Sequence, residues 1–308
     1  MVIEVRNLVK RYGEFVAVKG LSFEVNRGEI FGLLGPNGAG KTTTIRILMD
    51  IFKPDEGEVK LFGRKPSEVK EKVGYLPEER GLYQSLQVLE TLVYFAQLKG
   101  VHGSVAKERA IKLLEKVDLL DRAYSKVKEL SKGMQQKLQF IASIVHDPEL
   151  IFLDEPFQGL DPVNVELIKG LLRELHDEGK TIVLSSHQMN LVEALCDRIL
   201  LINRGEKVLY GFLRDIKRLF APNSIMVKSL QPLPSIPGVT AVERKNDSFL
   251  LTLSEGTSQQ GVLKALLEAG VEIEAFEVAP VSLEEIFVKV VREGRKGAAF
   301  QDLDSSSA

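Results

Sequence analysis

The chain has 308 residues, with 41 Lys and Arg against 43 Asp and Glu and a formal net charge of −2 at pH 7. That balance excludes tight, charge-driven binding to nucleic acid, and the length suits one large domain plus a smaller one. The single cysteine, Cys196, excludes an intramolecular disulfide and fits a reducing, intracellular compartment.

The N-terminal run MVIEVR alternates apolar and charged residues and reads as a strand rather than a signal peptide. Strand-like alternation continues over residues 2–35 as VIEVRNL, LSFEV and GEIFGLLG. A helix is expected over 41–52, stopped by the Pro/Gly turn KPDEG. GEVKLFG and KVGYLPE read as short strands. Residues 86–145 then carry apolar side chains at three- and four-residue spacing, as in ETLVYFAQL and ERAIKLLEKVDLL. This predicts a helical subdomain, about 86–146, inserted into an α/β core. The core resumes with LIFLDEP, nearly all apolar, as in a sheet covered on both faces. A helix over 162–178, the strand TIVLSS, a helix over 189–197 and the strand RILLIN complete a largely parallel core. Beyond residue 221 the strands SIMVKSL, VTAVER and SFLLTLS precede the helix SQQGVLKALLEAG, the strand VEIEAFEV and the helix SLEEIFVKVVRE. That grouping predicts a small α+β domain over 222–293. The tail 294–308 has no periodicity and is expected to be disordered. No apolar stretch is long enough to span a bilayer; the best, 138–153, is broken by HDPE.

Chemistry concentrates first in Gly35-Pro36-Asn37-Gly38-Ala39-Gly40-Lys41-Thr42, which follows the strand IFGLL and opens a helix. This is the structural context that the P-loop pattern requires. Its glycines let several backbone N–H groups point at one anion, and the helix N-terminus adds positive potential. Lys41 supplies a cation for the β- and γ-phosphates and Thr42 a hydroxyl for Mg²⁺, with Thr43 alongside. At the end of LIFLDEP, Asp154 can hold Mg²⁺ directly or through water, and Glu155 is placed to polarise an attacking water. Read alone, the acidic pair would be a solvated turn; beside a P-loop it reads as a site for ATP hydrolysis.

The P-loop, LSKGM, LIFLDEP, GLDP and SSH occur in one order. Together they resemble the nucleotide-binding subunit of an ABC transporter, over about residues 2–220. Residues 222–293 are similar to the accessory domain appended to some prokaryotic subunits of that family. The resemblance implies an α/β fold: a P-loop core of ABC type over 1–221, with the inserted helical subdomain and an antiparallel β subdomain. It also assigns roles. Tyr12 matches the aromatic that stacks on adenine, with Val18 packing nearby. Ser131 and Gly133 match the signature segment, where Lys132 and Met134 depart from the usual LSGGQ; taken alone, Ser131 would be a helix N-cap. Glu78 lies where the family usually has a glutamine. A carboxylate there can ligate Mg²⁺, and an exposed loop acid is the simpler alternative. His187 matches the histidine that bonds the γ-phosphate and orients Glu155. Asp161 matches the residue that communicates between subunits, and before Pro162 it is also a good N-cap. The other histidines, His102, His146 and His176, read as surface or core residues without partners.

The resemblance implies ATP and Mg²⁺ as ligands and no nucleic-acid partner. It implies an ATP-bound homodimer, or a heterodimer with a related subunit. It further implies docking beneath integral membrane permease subunits, on the cytoplasmic face of the cell membrane. The alternative is a soluble ABC ATPase tied to no transporter; the single P-loop and the short helical insert count against its ribosomal and DNA-repair forms.

Overall fold

The computed structural model describes residues 1–79, 81–221, 223–279 and 281–293. The tail expected to be disordered, 294–308, lies outside them. The described chain forms two compact units, Met1–Leu213 and Arg214–Glu293.

The larger unit holds two sheets among the described residues. Strands β1 (Ile3–Tyr12), β2 (Phe15–Val25) and β4 (Glu56–Leu61) form an antiparallel sheet in the order β2-β1-β4. Six strands form the other: β3 (Ile30–Leu34), β5 (Val73–Leu76), β6 (Leu150–Asp154), β7 (Thr181–Ser186), β8 (Arg198–Asn203) and β9 (Glu206–Phe212), in the order β5-β6-β7-β3-β8-β9. Every pairing from β5 to β8 is parallel, and β9 closes the edge antiparallel to β8. All residues of β3, β6 and β7 are buried, as their apolar runs require. Helix α1 (Lys41–Leu48) buries Ile45, Ile47 and Leu48 in a core shared with Leu21 and Phe23 of one sheet and Phe31 and Phe152 of the other.

This is the expected α/β fold with its inserted helices, and the differences have local causes. Helix α1 ends before residue 52 because Asp50 turns left-handed at φ 58°, and Ile51 N–H bonds back to Arg46 O at 2.9 Å. The insert is three separate helices, α2 (Val88–Leu98), α3 (Gly103–Lys116) and α4 (Lys132–Ile144). Strand β9 was not anticipated. It turns back through Arg204 and Gly205, at φ 53° and 82°, the paired left-handed residues of a tight hairpin. After α5 (Pro162–Asp177), α6 (Met189–Leu195) stops two residues short of expectation.

Helix α7 (Leu213–Phe220) leads into the smaller unit. There β10 (Ser224–Lys228), β11 (Val239–Lys245), β12 (Ser248–Leu253) and β13 (Ala275–Val278) form an antiparallel sheet in the order β11-β12-β10-β13. Helix α8 (Gln259–Glu268) packs Val262 and Leu266 against Ile225, Val227 and Leu251. The stretch VEIEAFEV is a strand only from Ala275, because Val271 N–H still caps α8 by bonding Leu266 O at 3.1 Å. Helix α9 (Leu283–Glu293) follows.

The three histidines read as partnerless have partners. His102 Nδ1 lies 3.0 Å from Ser104 Oγ, and His176 Nε2 lies 3.7 Å from Asp197. His146 is buried, and its Nε2 meets Val73 O at 3.1 Å. Burial, reinforced by the Lys99 cation, pushes its pKa down from 6.5 to about 4. The unfolded chain therefore takes up a proton that the fold refuses, and stability falls as pH drops from 6.5 towards 4. Between pH 6.5 and pH 5 this single group should remove about 2 kcal/mol. His146→Gln keeps an N–H donor and should flatten that part of the profile. Denaturant unfolding of both proteins at the two pH values checks it: equal slopes would exclude His146 as the source.

Candidate functional site

Strand β3 delivers the chain to the loop of residues 35–40, and the loop delivers it to α1. Two glycines there have no alternative. Gly35 sits at φ 151° and a Cβ on it would lie 2.2 Å from Ile202 O; Gly40 sits at φ 109° with Ala17 O 2.6 Å from a Cβ. The loop then folds back onto Lys41. This side chain is 6% exposed, and its Nζ donates to Gly35 O at 2.8 Å and to Pro36 O at 3.4 Å.

Glu155 Oε1 stands 3.8 Å from Lys41 Nζ and 2.9 Å from His187 Nδ1. Three charged or titratable groups from three elements thus meet at the ends of β3, β6 and β7. The backbone at Glu155 is left-handed, φ 51°, uncommon outside glycine. Its N–H is held by Ser185, at 3.2 Å to the carbonyl and 3.3 Å to the hydroxyl. Asp154 is fully buried and accepts a short hydrogen bond from Ser185 Oγ through Oδ1, while Oδ2 has no hydrogen-bond partner. Tyr75 lies close by. Burial, reinforced by the Asp154 charge and opposed by a hydrogen bond from Arg46, pushes its pKa up to about 12.

A cavity of 420 Å³ opens over the loop, lined by residues 37–43 together with Glu78, Glu155, Tyr12, Phe15 and Ala17. Asn37, Gly38, Ala39, Gly40, Lys41, Thr42 and Thr43 therefore share one space with Tyr12 and Glu78. Gly35 and Pro36 lie behind it, occupied with Lys41. Glu78 is an exposed loop residue that nonetheless faces the cavity.

Val18 does not line the cavity; it is fully buried in the core beside the loop, its Cγ2 3.6 Å from where a Cβ on Gly40 would lie. Side chains alternate across a strand, and the cavity-facing neighbour is Ala17. Ser131, Gly133 and Asp161 are also absent from the cavity lining. Ser131 caps α4 by accepting from Met134 N at 3.2 Å, and the space around Gly133 is open. Asp161 caps α5, accepting from Asn164 N at 3.0 Å and from its side-chain amide at 2.6 Å. The backbone bond, then the amide bond, lowers its pKa.

Sequence reasoning missed Phe15 and Ser185. Phe15 is 62% exposed and pairs across the hairpin with Tyr12; an aromatic directly after the Gly13-Glu14 turn was its only signal. Ser185 stands opposite Asp154 in the β6–β7 register, which no local pattern reveals.

A phosphate-binding loop after a buried parallel strand, with carboxylates at the neighbouring strand ends and a helical insert, defines an ATP-binding cassette. Residues 18–158 match the ABC transporter family model, and residues 211–291 match the C-terminal domain of DrrA1-3-like ATP-binding proteins. The Uncharacterized ABC transporter ATP-binding protein YhaQ of Bacillus subtilis (strain 168) is 40% identical over 293 residues, covering 94% of this chain and 98% of that one. Nod factor export ATP-binding protein I of Burkholderia orbicola (strain AU 1054) is 41% identical over 213 residues, 68% of this chain and 70% of that one. The dimeric structure of an ATP-binding cassette in a post-hydrolysis state, bound to ADP and Pi, aligns with TM-score 0.64 and 28% identity over 69% of this chain and 99% of that one. The chain belongs to the ATP-binding proteins of ABC transporters, as the order of its motifs led one to expect.

The loop geometry carries its own test. Gly35→Ala forces a Cβ against a backbone carbonyl and should cost about 2–4 kcal/mol of stability. Gly38→Ala, where nothing lies within 4 Å of the added carbon, should cost about 1–2 kcal/mol for its positive φ alone. Equal losses in equilibrium denaturation would show that the crowding at Ile202 O is not the cause.

Proposed function

We propose that this chain binds and hydrolyses ATP and couples that cycle to export through separate membrane-spanning permease subunits. The observation that carries the reading is the convergence of Lys41, Glu155 and His187 beside a helix N-terminus that opens into the cavity. The Lys41 ammonium now satisfies itself on the carbonyls of Gly35 and Pro36, and phosphate oxygens would take over those contacts. Tyr12 and Phe15 offer two aromatic faces to the base. Glu155 accepts the proton of the attacking water as the water oxygen bonds to the γ-phosphorus and the bond to ADP breaks. His187 holds Glu155 Oε1 in place.

The donor set fits Mg²⁺. Asp154 Oδ2 is a buried carboxylate oxygen without a hydrogen-bond partner, one residue before the cavity-lining Glu155, and Thr42 lines the cavity. Hard oxygen donors of this kind suit a small divalent cation. Asp154 and Thr42 would hold it, with Glu78 as a further donor. The bound ion supplies neutralising charge on the β- and γ-phosphates.

Ser131, Gly133 and Asp161 acquire a role in a dimer. In a two-fold arrangement each chain offers its signature segment to the nucleotide held by the other. A homodimer meets this, as does a heterodimer with a related chain. The dimeric cassette bound to ADP and Pi supports that assembly, and the Nod factor export relative supports the direction. Among the described residues no helix is long and apolar enough to cross a membrane. The reading sets this chain on the cytoplasmic face, against its permease partners, by its kinship with ABC transporter ATP-binding proteins.

Lys41→Ala should lower ATP turnover about 100-fold or more with an unchanged circular dichroism spectrum; near-parental turnover would remove the phosphate assignment. Glu155→Gln keeps the shape and loses the base. It should hydrolyse slowly and accumulate an ATP-bound dimer, read by light scattering with Mg²⁺-ATP. A variant that binds ATP yet stays monomeric at high concentration would mean that isolated chains do not close by themselves.

A further inference from the structure

We infer that Gln139, on α4, is a positioning residue that holds Glu78 at the nucleotide cavity. The inference rests on the proposed role of Glu78 as a carboxylate on the Mg²⁺ side of that cavity.

Helix α4 buries a stripe of polar side chains, Gln136, Gln139 and Ser143, at 6%, 5% and 5% exposure. Their spacing of three and four residues puts them on one face. Buried amides cost free energy unless they are bonded, so where they bond is informative. Ser143 Oγ bonds within its own helix, to Phe140 O at 2.6 Å. The glutamines bond outward, to the two loops that carry the cavity's carboxylates. Gln136 Nε2 donates to Pro156 O at 3.2 Å, one residue past Glu155. Gln139 Nε2 donates to Pro77 O and to Glu79 O, both at 3.1 Å.

Those two carbonyls flank Glu78. Strand β5 has already ended at Leu76, so residues 77–79 are loop, and one amide group grips the chain on either side of the residue whose side chain reaches the cavity. The orientation of the amide is forced: turned over, Oε1 would face two carbonyl oxygens. In the orientation found, Oε1 is buried without a partner. Replacing this amide with an apolar side chain would remove the orphaned acceptor but leave the carbonyls of Pro77 and Glu79 without these donors. The amide therefore works on the loop. Because Ser131 caps the same helix, the segment offered to a second chain and the carboxylate at this chain's own cavity are tied to one rigid element.

The test uses the full chain and a non-hydrolysable ATP analogue, with binding followed by calorimetry across a Mg²⁺ titration. Gln139→Met keeps length and helix propensity and removes both donors. Its Mg²⁺ half-saturation should rise about three- to tenfold, the range expected for hydrogen bonds of ordinary strength, while its melting temperature stays close to the parent. Glu78→Ala should produce a rise of the same kind, and the double variant no further rise, because the two lie on one route. Gln136→Met, equally buried but bonded to Pro156, should stay within twofold of the parent. Should the Met variant not fold, Gln139→Asn withdraws the donor by one methylene and gives the same readout. A shift in Glu78→Ala with none at Gln139 overturns the inference and leaves the Glu78 reading standing. No shift in either removes the Glu78 reading, and the inference falls with it. Additive shifts in the double variant, or an equal shift in Gln136→Met, mean that Gln139 acts only through general packing of α4, which also overturns it.

Discussion

A buried ammonium organises the larger unit. Lys41 is 6% exposed, and a cation so far from water must be surrounded by oxygen. Two of its three oxygen neighbours are carbonyls of the loop that precedes it, so the loop has to curl back over its own helix. The curl brings Gly35 against Ile202 of β8 and Gly40 against Ala17 of β2. Gly205 N–H, in the β8–β9 turn, bonds Ala39 O at 3.0 Å, and Lys19 N–H bonds Gly205 O at 2.9 Å. The loop is thus where the two sheets are fastened together. Under the proposed reading, phosphate binding and sheet packing use the same backbone, so a methyl group at Gly35 should act on both.

The third oxygen neighbour belongs to Glu155, and this connects the loop to the rest of the site. Ser185 orders the acidic end of β6 from the adjacent strand, holding Glu155 by its N–H and Asp154 by Oδ1. His187, two residues further along the same chain, takes Glu155 Oε1. The left-handed backbone at Glu155 is maintained by these contacts from a neighbouring strand end, in keeping with strain that persists only where surrounding structure over-determines it. The catalytic reading therefore rests on strand register: a slip of one residue between β6 and β7 would part Ser185 from Asp154 and turn the carboxylate away.

The elements legible in the sequence were those that announce themselves locally. Buried strands ending in a glycine loop, in Asp154-Glu155 and in Ser186-His187 can be read because an apolar run and its polar terminus adjoin. The N-caps at Ser131 and Asp161 were readable from residue type and the helix that follows. Phe15, Ser185 and Gln139 were not readable, since each acts on residues that only a turn, a register or a helix docking brings near. That Ala17 rather than Val18 lines the cavity was not legible, because alternation fixes which side chains share a face but not which face meets the cavity. The hairpin to β9 had a signal, an Asn-Arg-Gly turn, overshadowed by the parallel pattern before it.

Charge at the cavity carries the argument one step further. Among the described residues its lining includes Glu78 and Glu155 and one cation, Lys41. A nucleotide triphosphate arriving alone would bring more negative charge against two carboxylates in a partly desolvated space, where like charges repel strongly. Among the described residues, the helix N-terminus and one lysine stand against that charge. Under the proposed reading the divalent ion must therefore enter with the phosphates rather than after them, and Glu78 changes sign of effect with it. Without the ion this residue repels the γ-phosphate; with the ion between them it becomes a ligand. A glutamine at this position would be indifferent to the order of arrival. On that reading a glutamate would make closure over the nucleotide conditional on the metal, and the grip of α4 on residues 77–79 would give that condition a mechanical route to the signature segment.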